Sequence, residues 1–144
     1  MRYLIYVLCG TILTIFTQCE TLKSLPTNTS GTFSLNGNWQ MISTTDNRAM
    51  EGTIVTVVPG VKDATIRTLD NNTYCARERD VIWRNITSME GGTFTLDNLV
   101  NACDGVLYKP ATLTFINNDE IRITGHNKAS VEMVQTFKRT TIQQ

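Results

Sequence analysis

After residue 36, apolar and polar residues alternate with a period of two along much of the chain, rather than with the 3.6 of a helix. In Gly37-Asn38-Trp39-Gln40-Met41, Trp39 and Met41 fall on one face and Asn38 and Gln40 on the other. Residues 53–58 are β-branched almost throughout, which predicts a strand that faces a filled interior or is buried on more than one side. Residues 64–69, 81–86 and 93–96 read as further strands. In the last third, Ala111, Leu113 and Phe115 alternate with Thr112, Thr114 and Ile116. Ile121 and Ile123 then alternate with Arg122 and Thr124, and Val131, Met133, Gln135 and Phe137 form one face of a closing strand. Pro110 is expected at a strand start, where a missing N–H is tolerated.

Turn residues separate these segments: Thr45-Asp46-Asn47-Arg48, Pro59-Gly60, Asp70-Asn71-Asn72, Glu90-Gly91-Gly92, Asn117-Asn118-Asp119-Glu120 and Gly125-His126-Asn127-Lys128. Residues 97–103 are the one stretch read as a short helical turn, capped by Asp97 and ended by Gly105. The other reading of that stretch is an irregular loop. About eight short, evenly spaced strands without a strong amphipathic helix predict an all-β barrel or sandwich.

Composition changes this picture little. A chain of 144 residues suggests one domain, and its 41% apolar content is enough for one core. Lys+Arg and Asp+Glu are 13 each, so the basic surface that phosphate binding requires is missing and no nucleic-acid partner is expected. The N-terminus stands apart. Arg2 precedes an uncharged run from Tyr3 to Phe16, which reads as a secretory signal over residues 1–18 and is short for a membrane span. An uncleaved N-terminal anchor is the other reading. Residues 19–34 are rich in Thr, Ser, Asn, Gly and Pro and read as a flexible tether, with the folded domain over 35–140.

Cys19, at the end of the apolar run, resembles the lipidated Cys of the bacterial lipoprotein lipobox, with Phe16 where that motif favours Leu and Gln18 where it favours a small residue. The resemblance implies a membrane partner through lipidated Cys19 and a cell-envelope location after export. Ordinary cleavage nearby would leave a secreted or periplasmic protein. If the signal is removed, Cys9 goes with it, and lipidation would occupy Cys19. Cys75 and Cys103 remain, most simply as a disulfide worth about 3 kcal/mol through the unfolded state. Metal binding is the weaker alternative, since no Cys-x-x-Cys is present and His126 is the only histidine.

Asn36-Gly37-Asn38-Trp39, the strand meander and the closing Phe137-Lys138-Arg139 together resemble bacterial lipocalin-like lipoproteins. The resemblance implies an antiparallel up-and-down barrel of about eight strands, with Trp39 closing one end and Arg139 lying against it. A guanidinium over an indole also joins the first strand to the last on physical grounds alone. It further implies a small apolar or amphipathic ligand inside the barrel. The lining candidates are Met41, Val55, Trp83, Phe94, Phe115 and Met133, joined by Ile66, Leu113 and Ile123. The alternative is that these residues fill the core, and that the barrel is a scaffold binding another envelope protein. Trp83 beside Arg84 and Arg77-Glu78-Arg79 is expected to form a mouth of mixed charge. No enzyme and no cofactor are expected: His126 sits in a polar turn, Glu78 and Asp80 lie among arginines, and no nucleophile or phosphate-loop motif occurs.

Overall fold

The computed structural model describes residues 33–141. The expected signal sequence, Cys19 and nearly all of the expected tether lie outside these residues. The described chain forms eight strands: β1 (Gly37–Thr44), β2 (Ile54–Val57), β3 (Ala64–Thr68), β4 (Val81–Ser88), β5 (Thr93–Asn101), β6 (Leu107–Asn117), β7 (Glu120–His126) and β8 (Glu132–Thr140). They pair in sequence order into a closed barrel. Every pairing is antiparallel, and β1 joins β8 with Trp39 opposite Arg139 and Met41 opposite Phe137. Closure leaves no open sheet edge, which removes the main route to edge-to-edge aggregation.

The period-two alternation produces this architecture because it gives each strand one face for the interior. Trp39 and Met41 of β1, Val55 and Val57 of β2, and Ile121 and Ile123 of β7 point inward and are buried. Thr112, Thr114, Arg122 and Thr124 alternate with them on the exposed outer face. Apolar-in and polar-out is the reverse of a barrel that spans a bilayer. Small inward residues let β6 and β7 approach closely: a Cβ added at Gly125 would sit 2.9 Å from the Ala111 Cβ.

Two expectations need correction. Residues 97–101 are not a helical turn; they continue β5, pairing Asp97 with Pro110 and Asn98 with Lys109. The local cap signal at Asp97 is outweighed by the cross-strand hydrogen bonds of a β6 partner. Pro110 lies inside β6, which begins three residues earlier at Leu107, because the residues flanking it pair with β5 on both sides, Lys109 opposite Asn98 and Ala111 opposite Leu96. Register shifts where β4 pairs with β3 and late in β5 accompany consecutive buried residues, Ile82-Trp83 and Leu99-Val100, which strict alternation does not allow.

Candidate functional site

The barrel has two ends of different construction. The terminal end holds both described chain ends and the turns β2–β3, β4–β5 and β6–β7. The loop end holds the connections β1–β2, β3–β4, β5–β6 and β7–β8.

Trp39 closes the terminal end. It is fully buried, and its Nε1–H donates to the Leu35 carbonyl at 2.8 Å. The Arg139 guanidinium carbon lies 4.2 Å from the Trp39 ring centroid. Its nitrogens donate to the carbonyls of Asn36 (2.7 Å), Ser34 (2.7 Å) and Asn118 (3.2 Å), and Asp119 lies 3.5 Å away. One side chain thus ties the entering strand, the β6–β7 turn and the last strand. Phe115 packs edge-on to Trp39 and Phe94 and stacks on Phe33 at 4.9 Å. Phe94 and Phe115, candidates for a ligand cavity, therefore belong to this aromatic closure.

Met41, Val55, Trp83 and Met133 point into the interior and are essentially inaccessible, as are Ile66, Leu113 and Ile123. Trp83 packs edge-on to Phe137 at 5.0 Å. Thr53, Asn98, Asn101 and Gln135 are polar yet buried, and Asn98 donates through Nδ2 to Gln135 Oε1 at 3.0 Å. Trp83 Nε1 and Asn98 Oδ1 are buried without a hydrogen-bond partner, and the two residues face each other in register across β4 and β5. The expected mouth formed by Trp83 and Arg84 is not assembled. Alternation sends Arg84 to the outer face, where it covers the Tyr108 ring at 4.0 Å and pairs with Asp97.

The loop end is tied covalently and by long-range hydrogen bonds. Cys75 and Cys103 are joined in a disulfide, with Cα atoms 4.9 Å apart, linking the β3–β4 and β5–β6 loops. The bridge points to an oxidising compartment outside the cytoplasm. The β1–β2 loop folds inward, burying Ala49 and Met50, and the Met50 N–H donates to the Asn71 carbonyl at 2.9 Å. Asp46 accepts from the Tyr74 hydroxyl at 2.7 Å and from Asn127 Nδ2 at 2.9 Å, joining three loops at one carboxylate. Burial pushes the Tyr74 phenol well above its ordinary pKa, and the adjacent Asp46 carboxylate adds to the rise. Beside this network a cavity of about 600 Å3 opens, lined by Asp46, Tyr74, Asn101, Asn127 and Lys128 among others.

Backbone conformation marks the loop end further. Among the described residues, eight that are not glycine have φ in the left-handed region; Asn47, Arg48, Met50, Asn71, Cys75, Arg79 and Ser130 lie in the β1–β2, β3–β4 and β7–β8 loops. Burial accounts for Met50 and the disulfide for Cys75. Arg48 and Arg79 are exposed, and the Arg48 side chain remains 76% accessible despite its 2.7 Å contact with Glu51. A long side chain in this conformation costs about 1–2 kcal/mol. Neither Asp46 nor Tyr74 stood out in the sequence. The only local signal there was turn composition, and their partners lie up to 81 residues away.

A second cavity, of about 660 Å3, lies along the outer face of β5–β7. Thr95, Thr112 and Thr124 form a register row there, with His126 opposite Glu132 on β8. Among the described residues, no three His, Cys, Asp or Glu side chains come together in a way that could hold a metal ion. No protein-family model, curated protein or solved structure matches the chain.

Proposed function

We propose that the protein is a recognition module of the bacterial cell envelope, anchored through lipidated Cys19, in which a filled barrel holds its loop end against another envelope protein. The barrel is the scaffold, and the reading requires neither catalysis nor cofactor. The observation that carries it is the pair Arg48 and Arg79: exposed, long side chains kept in a costly backbone conformation, one in the β1–β2 loop and one in the disulfide-tied β3–β4 loop. Backbone strain concentrates where function retains it. The mixed charge of Arg77-Glu78-Arg79 and of the Lys128–Asp104 pair suits selection of a partner by electrostatic complementarity. Crosslinked capture from native membranes tests the reading. A discrete partner should be recovered with the unaltered chain and lost with an Arg48→Ala/Arg79→Ala variant. Recovery of the protein alone in gentle detergent extracts, or of the same partner with both chains, would overturn it.

A second reading, a small amphipathic ligand inside the barrel, is favoured by the unpartnered Trp83 Nε1 and Asn98 Oδ1. A polar group between them satisfies a donor and an acceptor that are otherwise expensive to bury. The methionines Met41 and Met133 are the side chains best able to re-pack around such a guest. Long-chain alcohols and monoacylglycerols should then raise the melting temperature, and Trp83→Phe should abolish the rise. No shift across the panel counts against this reading.

A further inference from the structure

Of the exposed large apolar residues among the described ones, Ile42, Val106, Leu107 and Val131 lie toward the loop end, and the others form a rim around the end where the chain enters. Phe33, Val58, Val61, Met89 and Ile116 all project at the terminal end, from the entering chain, the β2–β3 and β4–β5 connections and the end of β6. Val58, Val61 and Met89 are at least half exposed. The tip Val58-Pro59-Gly60-Val61 carries no charge. These features adjoin one another around the rim. The Lys62 carbonyl accepts from the Ile86 N–H at 2.8 Å, joining the β2–β3 loop to β4. Phe33 stacks on Phe115 of β6 and borders Gly92 of the β4–β5 turn. Arg139, the largest cation nearby, is engaged by three carbonyls and Asp119. Lys62 is offset by Asp63 and Glu90 along the same rim.

The described chain enters the barrel at this same end, at Phe33. About 14 residues separate Phe33 from Cys19, a covalent reach of at most about 50 Å. We infer that the terminal end rests on the lipid bilayer to which Cys19 is anchored, with Val58, Val61, Met89 and Ile116 entering the headgroup–acyl boundary. The inference rests on the anchoring part of the proposed function and goes beyond it, because anchoring alone leaves the domain free to face any way. Tethering raises the effective concentration of the rim at the bilayer, so weak apolar contacts suffice to orient it. The near-balance of charge makes the contact one of apolar insertion, indifferent to anionic lipid. The loop end then points away from the membrane.

The test uses the full chain purified from the membranes of an expressing bacterium and reconstituted in phosphatidylcholine vesicles with or without brominated acyl chains. Tryptophan reporters are placed at the terminal end (Val61→Trp and Met89→Trp) and at the loop end (Val106→Trp and Val131→Trp). The terminal-end reporters should lose at least half their added fluorescence in brominated vesicles, the loop-end reporters almost none, and anionic lipid should not alter the pattern. In the unaltered chain, amide exchange at residues 58–61 and 89–92 should slow on vesicles while residues 103–106 and 128–131 stay unchanged. Equal quenching at both ends, or none, overturns the inference while co-sedimentation with vesicles leaves anchoring intact. Crosslinks between two copies through the terminal end, with no bromine quenching, overturn it in favour of self-association. A chain that does not co-sediment at all removes the anchoring reading and this inference with it.

Discussion

At the terminal end the chain reverses through Gly60 and the Gly91–Gly92 pair, and the turns there hold no left-handed side chain; Asn85, left-handed within β4, donates its N–H to Asp63 Oδ1 beside the β2–β3 turn. At the loop end it reverses through Asn47, Arg48, Met50, Asn71, Cys75, Arg79 and Ser130, all left-handed and all bearing side chains. Glycine adopts this conformation without steric penalty, so the terminal end is the relaxed solution. The loop end carries local strain and offsets it with a disulfide, a buried Met50 and the Asp46–Tyr74–Asn127 network. On the proposed function, the difference separates closure from recognition. One end is built to shut the barrel with Trp39 and Arg139. The other keeps particular side chains in particular places at the expense of backbone freedom.

Removing the closure should have the largest effect. Trp39→Ala deletes a fully buried indole and the platform under Arg139, and should lower stability by about 4 kcal/mol in urea unfolding. A loss below about 1 kcal/mol would mean that the terminal end does not depend on it. Opening the loop end comes next. Cys75→Ser/Cys103→Ser removes a bridge spanning 28 residues and should lower stability by about 3 kcal/mol, chiefly through the unfolded chain. Amide exchange should then accelerate in the β3–β4 and β5–β6 loops before it does at the terminal turns.

Alkaline pH separates the ends more finely. Tyr74 has a raised pKa in the folded state, so its contribution is fully present below the unfolded value of about 10 and is lost as pH rises beyond it. Stability of the unaltered protein should fall more steeply above pH ~10 than that of Tyr74→Phe. Parallel curves would show that Tyr74 ionises equally in both states. Tyr74→Phe should cost about 1 kcal/mol at neutral pH through the lost bond to Asp46.

The strands and the closure were legible because each has a local or motif-level signal. Alternation marks β1, β6, β7 and β8, and Gly37-Asn38-Trp39 with Arg139 marks where first and last strands meet. Counting cysteines gave the bridge. The continuation of β5 through Asn101 was hidden because Asp97 carries a helix-cap signal, and only pairing with β6 overrides it. The Asp46 network was hidden because its members are 28 and 81 residues apart. The strained arginines were hidden because sequence marks a left-handed residue mainly by Gly or Asn, and Arg48 and Arg79 are neither. The orphaned Trp83 and Asn98 atoms depend on packing of the whole interior and have no local signal.

The smallest energetic effect is also the most telling. Arg48→Gly/Arg79→Gly relieves left-handed strain at two exposed positions, partly offset by added freedom of the unfolded chain. Stability should rise by about 1 kcal/mol, raising the melting temperature by about 4 °C. Stability and crosslinked capture are to be measured on the same preparation. The account predicts a more stable protein that no longer captures its envelope partner. A variant that is more stable and still captures the partner at the original level would contradict it.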